Sequence, residues 1–247
     1  MLKKIINKVI KIIYPLKAKK YKNLYLPYGR SNEALLNDKD YIDSAIQQVQ
    51  SLEKYYEINS ETKILDFGCG QGRFANGLLS TNKNFKTYLG IDTDLISIKW
   101  CNKWIKNNRE NLHFLYLEAH NERYNPKAGE RLSFPIELKS FNIAFLNSVF
   151  SHMLVEDIKF YLDELYKVLA NNGLLYCTAF IDNDVMEVEE NPKDYLGKKT
   201  HGPLHRVRYE KTFFLKLLEN AGFTLENYIY QGINRTKQSE IIARKLL

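Results

Sequence analysis

Residues Lys63 to Ala75, Lys-Ile-Leu-Asp-Phe-Gly-Cys-Gly-Gln-Gly-Arg-Phe-Ala, constrain the fold of this chain more than any other stretch. A short apolar run stops at an acid, Asp66, and gives way to glycine at every second position, Gly68, Gly70 and Gly72. Ile64 and Leu65 read as the end of a buried parallel strand, and the glycines let the backbone turn tightly enough for a ligand to lie against it. Arg73 to Leu79 reads as the helix that packs back. A second strand ending in an acid, Tyr88-Leu-Gly-Ile-Asp92, follows at the distance, about twenty residues, where doubly wound folds present a carboxylate to ribose hydroxyls. The turn lacks the lysine followed by Ser or Thr of a phosphate loop, and Asp66 puts negative charge where a pyrophosphate would sit. A nucleoside ligand is expected, and a nucleotide phosphate is disfavoured.

The rest of the chain alternates between strand and helix. Strands are expected near 63–67, 87–91, 112–117, 141–147 and 174–181, with helices between them. Tyr209 to Ala221 has helical spacing and ends at Gly222, and Phe223 to Tyr230 and Glu240 to Arg244 read as strands. Two segments break the alternation: a long polar connection, His120 to Pro135, and a charged, proline-bearing insertion, Asp182 to Val207. Both emerge at the carboxyl ends of strands, where open α/β sheets bind their ligands, and both are candidate substrate lids.

Leu65-Asp66-Phe67-Gly68-Cys69-Gly70-Gln71-Gly72 resembles the first motif of the class I S-adenosylmethionine-dependent methyltransferases. Asp92 matches that family's ribose-binding acid, and Glu118 sits where an acid or amide near the adenine usually falls. Phe141 to Asn147 looks like the fourth strand, and Asp163 to Gly173 like the helix and turn before the fifth. The resemblance runs in family order over residues 60 to 181 or so. It implies an α/β, Rossmann-like fold: a seven-stranded, mostly parallel sheet with helices on both faces and an antiparallel final strand. It also implies S-adenosylmethionine as cofactor, S-adenosylhomocysteine as product, and cofactor contacts at Asp66, Phe67, Gly68, Cys69, Gly70, Gly72, Asp92, Thr93, Glu118, Ala119 and Asn147. A narrower resemblance, to bacterial methyltransferases associated with surface-glycan biosynthesis, rests on Ile98-Lys-Trp-Cys, Tyr124-Asn-Pro, Ser148-Val-Phe-Ser-His-Met153 and Gln238-Ser-Glu-Ile-Ile-Ala-Arg-Lys245. It implies O-methylation of a sugar or sugar-linked group.

Methyl transfer to a hydroxyl requires donor and acceptor in line and a base for the proton. His152, just after the fourth strand, is the first candidate, the alternative being a histidine that bonds the backbone and caps the turn. His201 and His205 flank Gly202-Pro203 in the second insertion and would meet a substrate when that loop closes. Arg123, Arg206 and Arg208 lie in or beside the insertions and suit a phosphate or carboxylate on the acceptor, the alternative being solvated loop charge. Tyr124 and Tyr209 are candidates to stack on a sugar, and Arg30 to reach the cofactor carboxylate. No metal is expected: the fourth strand ends in Asn147-Ser148 rather than paired carboxylates, and Asp182 and Asp184 read as a turn.

The net charge of +7 belongs to the first segment, since Met1 to Asn32 holds eight lysines, Arg30 and no acid. Removing those nine from the 36 basic residues leaves 27 against 29 acids, a net of −2, so the body offers no general field for nucleic acid. Leu2, Ile5, Ile6, Val9, Ile12 and Ile13 fall at helical spacing with Lys4, Lys8 and Lys11 mostly opposite, a pattern shared by helices that lie on anionic membranes and helices that dock on a core or a partner. Lysines interrupt the apolar run too often for a signal peptide or a spanning helix. Cys69, Cys101 and Cys177 are widely spaced and fit a reduced cytoplasm, with possible peripheral contact at the inner membrane surface. The organisation read from the sequence is a basic amphipathic segment, 1–40, and one methyltransferase domain, 41–247, with lids at 120–135 and 182–207. Three other functions stay open: methylation of a small metabolite or phosphorylated precursor, a non-catalytic cofactor-binding scaffold, and RNA methylation. Oligomeric state is unassigned.

Overall fold

The computed structural model describes residues 2–30, 35–107, 109–137, 139–197, 199–233 and 235–246, without the side chains of 2–5 and Lys8. The expected contributions of Leu2, Lys4, Ile5 and Lys8 to the first helix face therefore lie outside the described side chains. In chain order the elements are α1 (Leu2–Ile13), β1 (Ala18–Tyr21), β2 (Leu24–Pro27), α2 (Asp38–Glu53), β3 (Lys63–Phe67), α3 (Arg73–Ser80), β4 (Thr87–Asp92), α4 (Leu95–Cys101), β5 (Leu112–Tyr116), β6 (Phe141–Leu146), α5 (Val155–Val168), β7 (Leu169–Asp182), β8 (Val188–Glu190), β9 (Val207–Glu210), α6 (Lys211–Asn220), β10 (Phe223–Ile233) and β11 (Gln238–Lys245). They fall into two compact units, Met1–Thr62 with Cys69–Tyr116, and Lys63–Gly68 with Leu117–Leu247.

In the larger unit β6 lies between β3 and β7, parallel to both, with Ile64 opposite Ile143 and Leu146 opposite Cys177. β11 runs antiparallel to β7, and β10 antiparallel to β11. Ile64, Leu65, Ile143, Ala144, Leu175 and Ile241 to Ala243 are buried, as strands covered on both faces require. The short strands β8 and β9 extend the carboxyl end of β7, with Ile181 opposite Tyr209. In this unit β3, β6, β7, β11 and β10 thus lie side by side in that order, and β8 and β9 lie off that path. This is the expected mostly parallel α/β architecture with an antiparallel final strand. Tyr209 departs from expectation by standing in β9 rather than in α6. The helix begins at Lys211 because the Glu210 side chain accepts from the Phe213 amide at 2.8 Å and caps it, while Val207 to Glu210 alternate between buried and half-buried as a strand does.

In the other unit β4 and β5 pair in parallel from Tyr88 opposite Leu112 to Asp92 opposite Tyr116. The basic N-terminal segment belongs to this unit rather than standing apart. Leu24, Leu26, Leu35, Tyr41 and Ile42 form one apolar cluster joining the β1–β2 hairpin to α2. The indoles of Trp100 and Trp104 donate to Lys17 O and Leu16 O at 3.2 and 2.8 Å. α1 is held by Asn7, which is buried and exchanges two hydrogen bonds with the Arg30 backbone at 2.9 and 2.8 Å. That contact leaves Ile6, Val9, Ile12 and Ile13 exposed, Ile12 by 80%, so this part of the apolar stripe does not dock on the unit's own core. No helix among the described residues is long and apolar enough to cross a membrane.

Candidate functional site

The turn after β3 carries three consecutive left-handed glycines, Gly68 at φ 78°, Gly70 at 51° and Gly72 at 69°. Gly68 also admits no side chain: a Cβ there would stand 2.4 Å from Cγ2 of Val149. Gly70 has open space where its Cβ would be, so the backbone at the middle of the turn is bare on one side. Its amide donates to the Asp92 carboxylate at 2.6 Å, and the other carboxylate oxygen accepts from the Asp94 amide at 2.8 Å. Burial pushes the Asp92 carboxyl up to about 6, against the pull of those backbone bonds. The Thr93 amide adds a third backbone bond, which leaves the carboxylate a lone pair for a hydroxyl donor. Gln71 donates from its side chain to Gly29 O at 2.9 Å, tying the N-terminal segment to the same turn.

The second group of candidate residues follows β6. Ser148 sits at φ 64° and begins a short 3-10 turn, Phe150–His152. A polar network fixes this turn: Ser148 N donates to Thr178 Oγ1 at 2.8 Å, Gln238 Nε2 donates to Ser148 Oγ at 2.8 Å, and Thr178 Oγ1 donates to Gln238 Oε1 at 2.6 Å. Ser148 and Ser151 share a further bond at 3.0 Å. His152 is half-buried, and its Nδ1 lies 2.9 Å from Leu204 O. The carbonyl accepts, so Nδ1 carries the proton and Nε2 is left as an acceptor. Burial, followed by the charges of Arg123, His205 and Arg206, drives His152 down to about 4 against the raising effect of the Leu204 bond, so the ring is neutral at ordinary pH.

Both insertions reach this turn. Asn121 accepts from the amides of Arg123 and Tyr124 at 3.1 and 3.0 Å and donates to His152 O at 3.2 Å. Arg123 Nη1 donates to His201 O and Pro203 O at 3.1 and 3.3 Å, which fastens the first insertion to the second. The Tyr124 ring meets the His152 ring edge-on at 5.6 Å. The far end of the first insertion is anchored by Phe134, which packs against Phe67 and Tyr161 at 5.0 and 5.7 Å. The structure thus brings together His152, Arg123, Tyr124, His201, His205 and Arg206. Asn121, Thr178 and Gln238 were not singled out as site residues, although Gln238 opens one of the motifs quoted for the narrower resemblance; what marks all three is pairing across 30 to 90 residues, which no local pattern carries.

Other expected residues stand elsewhere. Tyr209 is fully buried and its hydroxyl donates to Met153 O, so it cannot stack on an acceptor. Arg208 is committed to Glu189 and Asp182 and lies over the Tyr195 ring at 4.9 Å. Arg30 is also spent locally, on Leu35 O, Asn37 O and Asp38, over the Tyr41 ring, which removes it from the cofactor carboxylate; Ser31 beside it lies outside the described residues. The Phe67 ring belongs to the core, as do Asp66, Cys69 and Ala119 by burial. Thr93 and Asn147 are half-buried and Glu118 is exposed. All three cysteines are free and buried, and no group of three or more metal-binding side chains occurs among the described residues.

Residues 65–175 match the family described as a methyltransferase domain. A crystal structure of a S-adenosylmethionine-dependent methyltransferase from Methanosarcina mazei superposes with a TM-score of 0.58 at 17% identity, covering 80% of this chain and 97% of that one. A S-adenosylmethionine-dependent methyltransferase from Mesorhizobium loti gives 0.58 at 14% identity, over 82% and 99%. The [4+2]-cyclase SpnF gives 0.59 at 15% identity, over 98% and 95%. The likeness is one of fold, and the cyclase shows that the fold alone does not name a reaction.

Proposed function

We propose, from the match of residues 65–175 to a methyltransferase-domain family and from the class I fold, that the chain uses S-adenosylmethionine and O-methylates a sugar or a sugar-linked group of the kind built into bacterial surface glycans. The residues of the glycine turn suit that cofactor. The bare backbone at Gly70 accepts a nucleoside face, and Asp92, already oriented by three amides, keeps a lone pair for a ribose hydroxyl. By the same resemblance Asp66, Gly68, Gly72, Thr93, Glu118, Ala119 and Asn147 are assigned to the cofactor, while Phe67 and Cys69 support the turn from the core. When bound, the cofactor supplies a methyl carbon made electrophilic by its sulfonium.

The observation that carries the reading is the tautomer of His152. With Nδ1–H held on Leu204 O, Nε2 is the acceptor atom, and it takes the proton from the acceptor hydroxyl. A proton on a ring held at about 4 passes readily to water, which resets the base. His201 and His205 stand in the loop that Arg123 fastens, where they meet the acceptor rather than the hydroxyl proton. Two of the motifs behind the glycan resemblance, Ser148 to Met153 and Gln238 to Lys245, are bonded to each other in the structure, which supports reading them as one functional unit. The test is transfer from labelled S-adenosylmethionine to free sugars, nucleotide sugars, small phosphorylated acids and RNA, with the methylated atom identified by NMR. An O-methyl sugar is expected; an N-methyl product overturns the base assignment.

We propose in addition that α1 lies on an anionic membrane. Its exposed Ile6, Val9, Ile12 and Ile13 adjoin a segment of eight lysines without an acid, and Lys11, Lys17, Lys20 and Lys22 are exposed, so the charge suits anionic lipid and the apolar face suits the headgroup boundary. Co-sedimentation with phosphatidylglycerol vesicles, lost in Ile12→Glu and in neutral phosphatidylcholine, is expected. Self-association through the same face, without vesicle binding, overturns it.

A further inference from the structure

We propose that α1 couples an anionic membrane to the cofactor turn, so that lipid on its outer face and a nucleoside at Gly70 each strengthen the binding of the other. The inference rests on the cofactor and membrane readings above and adds the regulation of that same site.

Helical spacing gives α1 two separate stripes. Ile6, Val9, Ile12 and Ile13 fall on one side and are exposed, while Asn7, Ile10 and Lys11 fall on the next, with Asn7 buried and Ile10 half-buried. The inner stripe rests on two residues, Gly29 and Arg30. Asn7 Nδ2 donates to Arg30 O at 2.9 Å, and Asn7 Oδ1 accepts from Arg30 N at 2.8 Å. Gly29 lies so near the helix that a Cβ there would stand 2.8 Å from Cγ of Lys11 and 3.1 Å from the Lys11 amide nitrogen, so a larger residue would push α1 away.

The same two residues are tied to the glycine turn. Gln71, between Gly70 and Gly72, donates from Nε2 to Gly29 O at 2.9 Å, and its own carbonyl accepts from the Tyr41 hydroxyl at 3.4 Å. The Arg30 guanidinium lies over that Tyr41 ring at 4.7 Å. Two residues therefore join α1 to the turn, and every contact in the series lies within the unit Met1–Thr62 with Cys69–Tyr116.

A helix of 12 residues is marginal in water by itself. Two hydrogen bonds and one close backbone approach hold α1 on Gly29 and Arg30, a light anchor from which it can be released. Anionic lipid takes up the outer stripe and leaves the inner one free, so it favours the helical, docked form. In that form Gly29 O is presented to Gln71 and steadies the turn, and a nucleoside lying against the bare backbone of Gly70 favours the same ordered turn. Two ligands that favour one state raise each other's affinity by an equal factor. The consequence is a protein that loads its cofactor best at the lipid surface.

The test is equilibrium dialysis of labelled S-adenosylhomocysteine against the full chain, alone, with phosphatidylglycerol vesicles and with phosphatidylcholine vesicles. Phosphatidylglycerol is expected to tighten binding about fivefold and phosphatidylcholine to leave it unchanged, and S-adenosylhomocysteine should raise sedimentation with phosphatidylglycerol vesicles by the same factor. Asn7→Leu and Gly29→Val, which leave the outer stripe and the turn residues in place, should still bind vesicles and S-adenosylhomocysteine but bring the factor close to one, with thermal melting reporting that both fold. Equal affinity with and without phosphatidylglycerol, or a factor that survives both variants, overturns the proposal. Loss of vesicle binding in both variants also overturns it, because the outer stripe would then depend on the inner one. Failure of the unaltered chain to sediment with phosphatidylglycerol overturns it together with the membrane reading, and failure to bind S-adenosylhomocysteine under any condition overturns it together with the cofactor reading, so the three failures are told apart.

Discussion

At the turn following β3 the atoms proposed to recognise a ligand belong to the backbone, set by three left-handed glycines and one carboxylate that accepts from Gly70 and Asp94. Around His152 they belong to side chains, held by bonds between segments 31, 52 and 78 residues apart. The first arrangement is local, and few residue types satisfy it. The second is assembled from loops whose composition leaves wide freedom, so it is where one fold can be turned to different acceptors. The two should therefore fail in different ways.

His152→Gln sharpens the difference most. Loss of the proton acceptor should lower kcat on the true acceptor about 10²- to 10⁴-fold with cofactor affinity unchanged. Normal turnover across pH would move the base elsewhere. Asp92→Ala should do the reverse, weakening S-adenosylhomocysteine binding about 100-fold by calorimetry, the worth of one strong charge-assisted hydrogen bond, in a protein that still melts cooperatively. Unchanged affinity would break the ribose assignment.

The pH dependence of the cofactor site follows from the same carboxylate. Asp92 is raised in the folded protein to about 6, so the stability linked to its neutral form is present at low pH and is lost as pH rises towards 6. Ribose hydroxyls donate to the ionised form, so cofactor binding releases a proton and should strengthen about tenfold between pH 5 and 7. Calorimetry in buffers of different ionisation enthalpy measures that proton directly. The smallest effect is expected of Tyr209→Phe. It leaves the Met153 carbonyl without its donor, costing about 1–2 kcal/mol and lowering Tm by a few degrees, while KM for the acceptor stays the same. A raised KM would return Tyr209 to the acceptor site.

The same contrast explains what was legible in the sequence. Strand periodicity and glycine spacing place β3, β4, β5 and β6 within a residue or two, because both signals are local. The rim of β6 and the two insertions are also marked by sequence, and the structure does bring Arg123, His152, His201 and His205 together. Their partners are another matter. Nothing near Asn121 announces that it bonds His152, and nothing in Gln238 announces Ser148, since such pairings depend on the tertiary fold alone. Tyr209 and Arg208 mislead for a related reason: one is drawn into the core by β9, and the other is answered by acids 19 and 26 residues before it. The N-terminal segment reads as separate because its charge differs from that of the body, yet Gln71 and two indoles bind it to the β4–β5 unit through backbone atoms that composition does not report.

The bond from Gln238 to Ser148 bears on the order in which the protein acquires its parts during synthesis. The ribosome releases the glycine turn, Asp92 and the whole of β4 and β5 well before β11 emerges. β11 then has to enter between β7 and β10, and only then does Gln238 reach the turn that carries His152. A nascent chain thus holds the residues proposed for the nucleoside before it completes the turn proposed for the acceptor. A chain cut short before residue 238 would keep the glycine turn and lack the side chain that joins Ser148 to Thr178.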